Sequence, residues 1–154
     1  MKKIFIVFGH HNISGSFNSQ IRDTFINEAE KLGHTIDLVN LFDEKEYLPF
    51  YNSNFNPPPK LVIDYRNRLE KCDIMFLIGS CNNLRLNSIL ENWVDWVLHP
   101  KWFFSYKSMM PNSRFFKNYG YTVPGAMKGK LGIVSITCLL YTSDAADDTP
   151  CVDL

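Results

Sequence analysis

The chain has 154 residues, of which 45% are hydrophobic and 14% aromatic, so it is long and apolar enough to bury a core. Sixteen lysines and arginines balance sixteen aspartates and glutamates, which argues against nucleic acid or an anionic membrane as the main partner but leaves room for a local basic patch. No apolar stretch is long enough for a membrane span. The four cysteines form no C-x-x-C pair, so we expect free thiols and a cytoplasmic protein.

The first half of the chain predicts a strand–helix–strand unit. The unbroken apolar run 4–8 is typical of a strand buried on both faces of a parallel sheet. A polar loop follows, and then apolar residues recur at helical spacing at Ile21, Phe25, Ala29 and Leu32. Ser16 is the predicted N-cap of this helix and Gly33 its predicted end. Residues 35–41 predict the second strand, joined by a right-handed crossover.

The second half repeats this alternation. Three consecutive prolines make 47–60 an irregular connection, before a helix predicted over 61–71 and a strand over 72–80. An amphipathic helix is predicted over 86–97, then a long aromatic loop over 101–125 and a strand over 128–137. The order predicts an α/β protein with a doubly wound parallel sheet and helices on both faces.

The loop 9–18 is the first candidate site, because ligands of such sheets bind beyond the carboxyl ends of the strands. Free backbone N–H groups and the helix dipole favour an anion there. Ser16, Asn18 and His10 add side-chain donors, and Gly15 allows close approach of the backbone. The loop matches neither G-x-G-x-x-G nor the P-loop pattern, so an ordinary capped helix start with nothing bound is the alternative.

Three segments in order resemble the flavodoxin-like NAD(P)H:quinone oxidoreductases, which include the modulator-of-drug-activity-like flavoproteins. In the first, His10 and Ser16-Phe17-Asn18 occupy the family's histidine and S-F-N positions. The segment "ILENWVDWVLHPKWFFSYK" is similar to the family's L-K-x-W-I-D-R-V-L-x-x-G-x-A-F-x-Y, and "MKGKLGIVSIT" to its L-K-G-K strand. The resemblance covers residues 1–137 and implies a flavodoxin-like fold.

The resemblance also implies a flavin enzyme, with FMN or FAD as cofactor and NAD(P)H as electron donor. The donor would give a hydride to flavin N5 and leave, and a quinone or similar flat acceptor would then take two electrons, by a ping-pong mechanism. No side-chain nucleophile or metal is required, and a homodimer is implied. The implied cofactor-binding residues are His10, Ser16, Phe17, Asn18, Ser80, Cys81, Asn82 and Asn83, and the implied acceptor pocket consists of Trp102, Phe103, Phe104 and Tyr106.

The segment after the third strand departs from the family pattern. It reads "SCNNLRLN", in which the family's aromatic residue is missing, Arg85 replaces a glycine and Asn87 replaces a proline. Arg85 has two interpretations, a phosphate partner or, preferred here, a solvated loop arginine. Other functions therefore stay open: a regulatory subunit of a potassium-efflux system, a flavodoxin-like electron carrier, which the long aromatic loop disfavours, or a flavin-less binding domain.

The last seventeen residues also depart from the pattern. The stretch 138–148 resembles the translation of a transposase-type sequencing adapter, and 151–154 the translation of a flow-cell end. We therefore expect an incomplete flavodoxin-like domain over 1–137, lacking its last strand and helix, and a non-native tail over 138–154. A genuine, divergent C-terminus is the alternative. The expected consequence is apolar surface exposed on one face of the sheet, with a poorly folded chain that binds flavin weakly.

Overall fold

The computed structural model describes residues 1–52, 54, 57–82, 85–100 and 102–138. In chain order these residues form β1 (Lys3–Gly9), α1 (Phe17–Lys31), β2 (Thr35–Asn40), α2 (Lys60–Glu70), β3 (Ile74–Asn82), β4 (Arg85–Leu86), α3 (Ser88–Val97), β5 (Phe104–Ser108), β6 (Gly120–Pro124) and β7 (Leu131–Cys138). Most predicted boundaries lie within two residues of these bounds. No helix in the described ranges combines the length and hydropathy needed to cross a membrane.

Four parallel strands form the main sheet in the order β2-β1-β3-β7, which confirms the predicted α/β sheet. β1 lies in its interior, where Phe5 is opposite Asp37 of β2 and Met75 of β3. Residues 4–8 are at most 1% exposed, which explains why their sequence shows no polar alternation.

Helices cover both faces of this sheet, as predicted. The apolar side of α1, which includes Ile21 and Phe25, packs on one face against Phe76. On the other face, α2 and α3 enclose Phe5 and Trp93, whose ring centroids are 6.3 Å apart. Burial of such aromatic side chains contributes about 1.5–3 kcal/mol each.

The aromatic segment predicted as a loop is instead a β-hairpin, so this prediction was wrong. β5 and β6 pair antiparallel as a separate two-stranded sheet, with Phe104 opposite Pro124 and Ser108 opposite Gly120. A Cβ atom at Gly120 would collide with the Lys107 backbone, so only glycine permits this pairing. The segment lacks a clear apolar–polar alternation because the hairpin has no buried face, and the pattern was therefore missed.

β7 has one covered and one open face in the described structure. Ile133 packs with the α1 side of the core, whereas Val134 and Ile136 on the opposite face are about half exposed, at 55% and 48%. Exposed apolar surface on one sheet face was expected. Residues 139–154 lie outside the described residues, so the predicted boundary between domain and tail stays a prediction.

Candidate functional site

The loop between β1 and α1 lies at the carboxyl edge of the parallel sheet. β1 and β3 end there side by side, with Gly9 opposite Gly79, and β7 ends beside β3, with Thr137 opposite Ser80. The fold therefore brings the first predicted loop and the start of the 80–87 segment together, as expected for a ligand site of this architecture.

Ser16 is the N-cap of α1, as predicted. Its hydroxyl oxygen accepts a hydrogen bond from the Ser19 backbone N–H (3.1 Å), and the Ser19 side chain accepts one from the Ser16 N–H (2.9 Å). The first N–H groups of a helix have no intrahelical partner, so those of Phe17 and Asn18 stay available beside the capped Ser19. Together with the helix dipole, these groups favour an anionic ligand.

Asn18 is the residue whose surroundings point most directly to a ligand. It is 2% exposed, and its Nδ2 donates to Thr137 Oγ1 at 2.7 Å. Its buried Oδ1 has no partner among the described residues. The amide can also be placed turned over, with Oδ1 accepting from the Thr137 hydroxyl and Nδ2 becoming the unpaired donor. A buried amide donor at a helix N-terminus suits a phosphate.

His10 shapes the loop from its buried position. Its Nδ1 lies 3.2 Å from the Asn12 backbone nitrogen and 3.3 Å from the Asn12 carbonyl oxygen, so the ring holds the backbone of the loop at Asn12. The ring stacks on His11 at a centroid distance of 4.5 Å. His11 and Phe17, which was predicted to bind the cofactor, are both exposed.

Asn87 connects the two halves of this edge and was not predicted as a site residue. Its Nδ2 donates to the Gly9 carbonyl and to Ser80 Oγ, and its Oδ1 accepts from the Leu90 N–H (3.1 Å) as the N-cap of α3. An asparagine directly before an apolar helix was the available signal.

The 80–87 segment folds back on itself instead of forming an open loop. Cys81 pairs with Leu86 and Asn82 with Arg85, antiparallel, at the end of β3. Arg85 is exposed, in agreement with the preferred interpretation as a solvated arginine. Asn83 lies outside the described residues. Ser80 is buried and in contact with Asn87, whereas Asn82 is exposed.

Of the aromatic residues predicted to line the acceptor pocket, Trp102 lies away from the loop 9–18 of its own chain. The Trp102 indole N–H donates to the carboxylate of Glu70, the last residue of α2 before the chain enters β3, and the Arg66 guanidinium lies 5.3 Å from the Trp102 ring. Trp102 therefore lies at the amino edge of the sheet, opposite the loop 9–18. Phe103 and Phe104 line a cavity with Val123 and Met127, and Tyr106 is exposed. One chain does not bring Trp102 next to the first loop.

The donors at this helix N-terminus suit the phosphate of a flavin. The backbone N–H groups of Phe17 and Asn18 are donors at the α1 N-terminus, and the Asn18 amide adds a third donor when it is turned over so that Nδ2 is the unpaired atom. The residues present therefore fit a phosphate, and backbone donors at a capped helix recognise it without a basic side chain.

Comparisons with known proteins agree with this architecture. Residues 2–146 match the family described as a flavodoxin-like fold. The FMN-dependent NADH:quinone oxidoreductase of Mycoplasma mobile is 29% identical over 99 residues, covering 61% of this chain and 48% of that protein. The chain thus spans about half the length of this curated relative.

Two solved structures show the same fold. The NAD(P)H:quinone oxidoreductase from Methanothermobacter marburgensis has a TM-score of 0.69 at 15% identity, over 99% of this chain and 77% of that one. The FMN-dependent NADH-azoreductase from Bacillus anthracis, in complex with FMN, has a TM-score of 0.62 at 14% identity, over 90% and 69%. Sequence match and architecture together establish that the chain belongs to the flavodoxin-like family.

Proposed function

We propose that the protein is an FMN-dependent NAD(P)H oxidoreductase that reduces quinones or similar flat acceptors. The observation that carries this proposal is the unpaired, buried amide of Asn18 beside the free N–H groups of α1. FMN is preferred to FAD because the similar proteins of Mycoplasma mobile and Bacillus anthracis are both described as FMN-dependent. The cysteine usage supports a cytoplasmic location.

In this proposal the chain's own residues hold and orient the cofactor. The α1 N-terminus and Asn18 bind the phosphate, while Ser16 fixes the first turn through its cap and His10 holds the loop through Asn12. Asn87 fixes the loop to the end of β3 through Gly9 and Ser80. Bound FMN would supply the hydride and electron chemistry, from NAD(P)H to the acceptor.

The acceptor pocket is proposed to need a second chain. Trp102 contacts Glu70 at the amino edge of the sheet, away from the loop 9–18 of its own chain. A homodimer that brings the aromatic hairpin of one chain to the carboxyl edge of the other would complete the pocket, and aromatic side chains are typical of such shared surfaces. Light scattering that finds a strict monomer with full quinone reductase activity would contradict this arrangement.

The phosphate site is tested with Asn18→Asp, which keeps the shape and the contact to Thr137 but places a negative charge beside the phosphate. Two like charges about 4 Å apart repel by about 4 kcal/mol at an effective dielectric constant of 20, so we expect at least a 30-fold (~2 kcal/mol) weaker FMN affinity. The matched control is Asn27→Asp, an exposed position of the same helix about 13 Å further along its axis. The measurement is quenching of FMN fluorescence on titration with protein.

Riboflavin, which lacks the phosphate, serves as the second ligand. Asn18→Asp should leave riboflavin affinity within about twofold, because a charge on the phosphate is what the substitution opposes. Equal loss for both ligands, or equal FMN affinity in Asn18→Asp and Asn27→Asp, would refute the phosphate site. A folded wild-type chain that binds neither FMN nor FAD would reject the oxidoreductase and favour a flavin-less binding domain. NADH and NADPH oxidation with menadione then tests the activity.

A further inference from the structure

Thr137 lies near the carboxyl end of β7, beside the first turn of α1. Successive side chains of a strand alternate between the two faces of the sheet, so Thr137 shares the face of Ile133, which packs on the α1 side of the core. Ile136, one residue earlier, belongs to the opposite, open face and is about half exposed. The strand therefore directs the Thr137 hydroxyl to α1, where its Oγ1 lies 2.7 Å from Asn18 Nδ2.

This hydrogen bond is the only one that either side chain forms within the described part of the chain. Asn18 is 2% exposed, so the second polar atom of its amide is hidden from bulk water and costs free energy unless a ligand pairs with it. No described side chain competes for the Thr137 hydroxyl, whose proton can rotate to suit its partner. The orientation of the Asn18 amide thus depends on Thr137.

A hydroxyl can hold this amide in either of two orientations, because it both accepts and donates. When Nδ2 is turned to Thr137, the unpaired atom is the Oδ1 acceptor, whose partial negative charge would repel a phosphate. When the amide is turned over, the hydroxyl donates to Oδ1, and both N–H groups of Nδ2 are available at the start of α1. Only the second orientation suits an anion, and it requires a donor at position 137.

We propose that Thr137 is a positioning residue of the phosphate site. Its hydroxyl donates to Asn18 Oδ1 and holds the amide with Nδ2 turned to the ligand. Thr137 acts through Asn18 and not on the cofactor itself, and the pair selects ligands that present an acceptor at the start of α1. This inference rests on the proposed function, and it adds to the site a residue 119 positions away from its partner.

The first test compares Thr137→Val, which keeps the shape of the side chain without its hydroxyl, with Thr137→Ser, which keeps the hydroxyl. Thr137→Val should weaken FMN affinity about tenfold but riboflavin affinity less than about twofold, because riboflavin lacks the phosphate. Thr137→Ser should stay within about threefold of wild type for both ligands. The matched control is Thr35→Val, at an exposed position of β2, which should leave both affinities unchanged. Quenching of flavin fluorescence gives the affinities.

A double-mutant cycle then shows whether Thr137 acts through Asn18. In the Asn18→Ala background, Thr137→Val should change FMN affinity by less than about twofold, because the amide that it positions is absent. The Nδ2 amide signals of Asn18 in heteronuclear NMR spectra, identified by their loss in Asn18→Ala, are a second readout. FMN should shift these signals in the wild-type chain and in Thr137→Ser, whereas riboflavin should leave them in place.

The possible failures are distinguishable. Wild-type FMN affinity in Thr137→Val, a serine variant no better than valine, or a valine loss that persists in the Asn18→Ala background would overturn this inference and leave the proposed function standing. The NMR readout needs no variant at position 137, so Asn18 signals that FMN does not shift at saturation would overturn it even if Thr137→Val failed to fold. A folded wild-type chain that binds no FMN would overturn both.

Discussion

Asn87 offers the sharpest test of how the carboxyl edge is held together. Its side chain is buried, at 8% exposure, and joins three elements. The Nδ2 group donates to the Gly9 carbonyl at the end of β1 and to Ser80 in β3, and Oδ1 caps α3 by accepting from the Leu90 N–H. Asn87→Ala removes all three contacts at once. The loss should therefore exceed that of an ordinary cap.

The magnitude follows from the two kinds of contact. Loss of an N-cap costs about 1 kcal/mol, and buried acceptors left without a donor cost about 1–3 kcal/mol, so we expect the free energy of unfolding to fall by about 2–4 kcal/mol. Asn87→Ser restores a cap acceptor but not the reach to Gly9, and should recover about 1 kcal/mol of this loss. Asn87→Asp keeps the cap but faces the Gly9 carbonyl with a charge, so its loss should be at least that of alanine.

Urea unfolding followed by circular dichroism measures these values, with the midpoint falling while the slope stays constant. Asn67→Ala, on the exposed side of α2, is the matched control and should change the free energy of unfolding by less than about 0.5 kcal/mol. An Asn87→Ala variant that loses less than about 1 kcal/mol, or a serine variant no better than alanine, would refute the assigned contacts.

Two further predictions concern titratable groups near the amino edge of the sheet. The Lys3 backbone N–H donates to the Asp73 carboxylate (2.8 Å), and this lowers the pKa of Asp73 on folding. The stabilisation from the Asp73 carboxylate is complete above its unfolded pKa of about 3.9 and is lost as pH falls through its folded pKa. The difference in the free energy of unfolding between wild type and Asp73→Asn should therefore close below pH ~4. A difference that stays constant across this pH range would contradict the prediction. Burial raises the pKa of the Cys72 thiol, which donates to the Leu69 carbonyl (3.1 Å). Alkylation of Cys72 at neutral pH, followed by peptide mass spectrometry, should be at least about 100-fold slower in the native chain than in urea, and equal rates would show that it is accessible.

The strand and helix framework followed from local sequence signals. The apolar run 4–8 could be stable only between two covered faces, and residues 4–8 are indeed buried. Ser16 and Gly33 mark the ends of α1 because a cap hydroxyl and a positive φ of 76° are requirements of the backbone itself. These features depend only on neighbours within a few residues, so they can be predicted from the sequence.

Contacts between distant residues were decided by the tertiary structure. Asn18 meets Thr137 across 119 positions, and Asn87 reaches Gly9 across 78, so no local pattern could pair them. The amino-edge position of Trp102 likewise depends on Glu70, which only the packing of α2 brings within 3.2 Å. Sequence alone determined the strands and helices of the main sheet and the capped start of α1, since local backbone chemistry dictates both. Only the fold decided which side chains complete that end and which face away, because their partners come from separate strands.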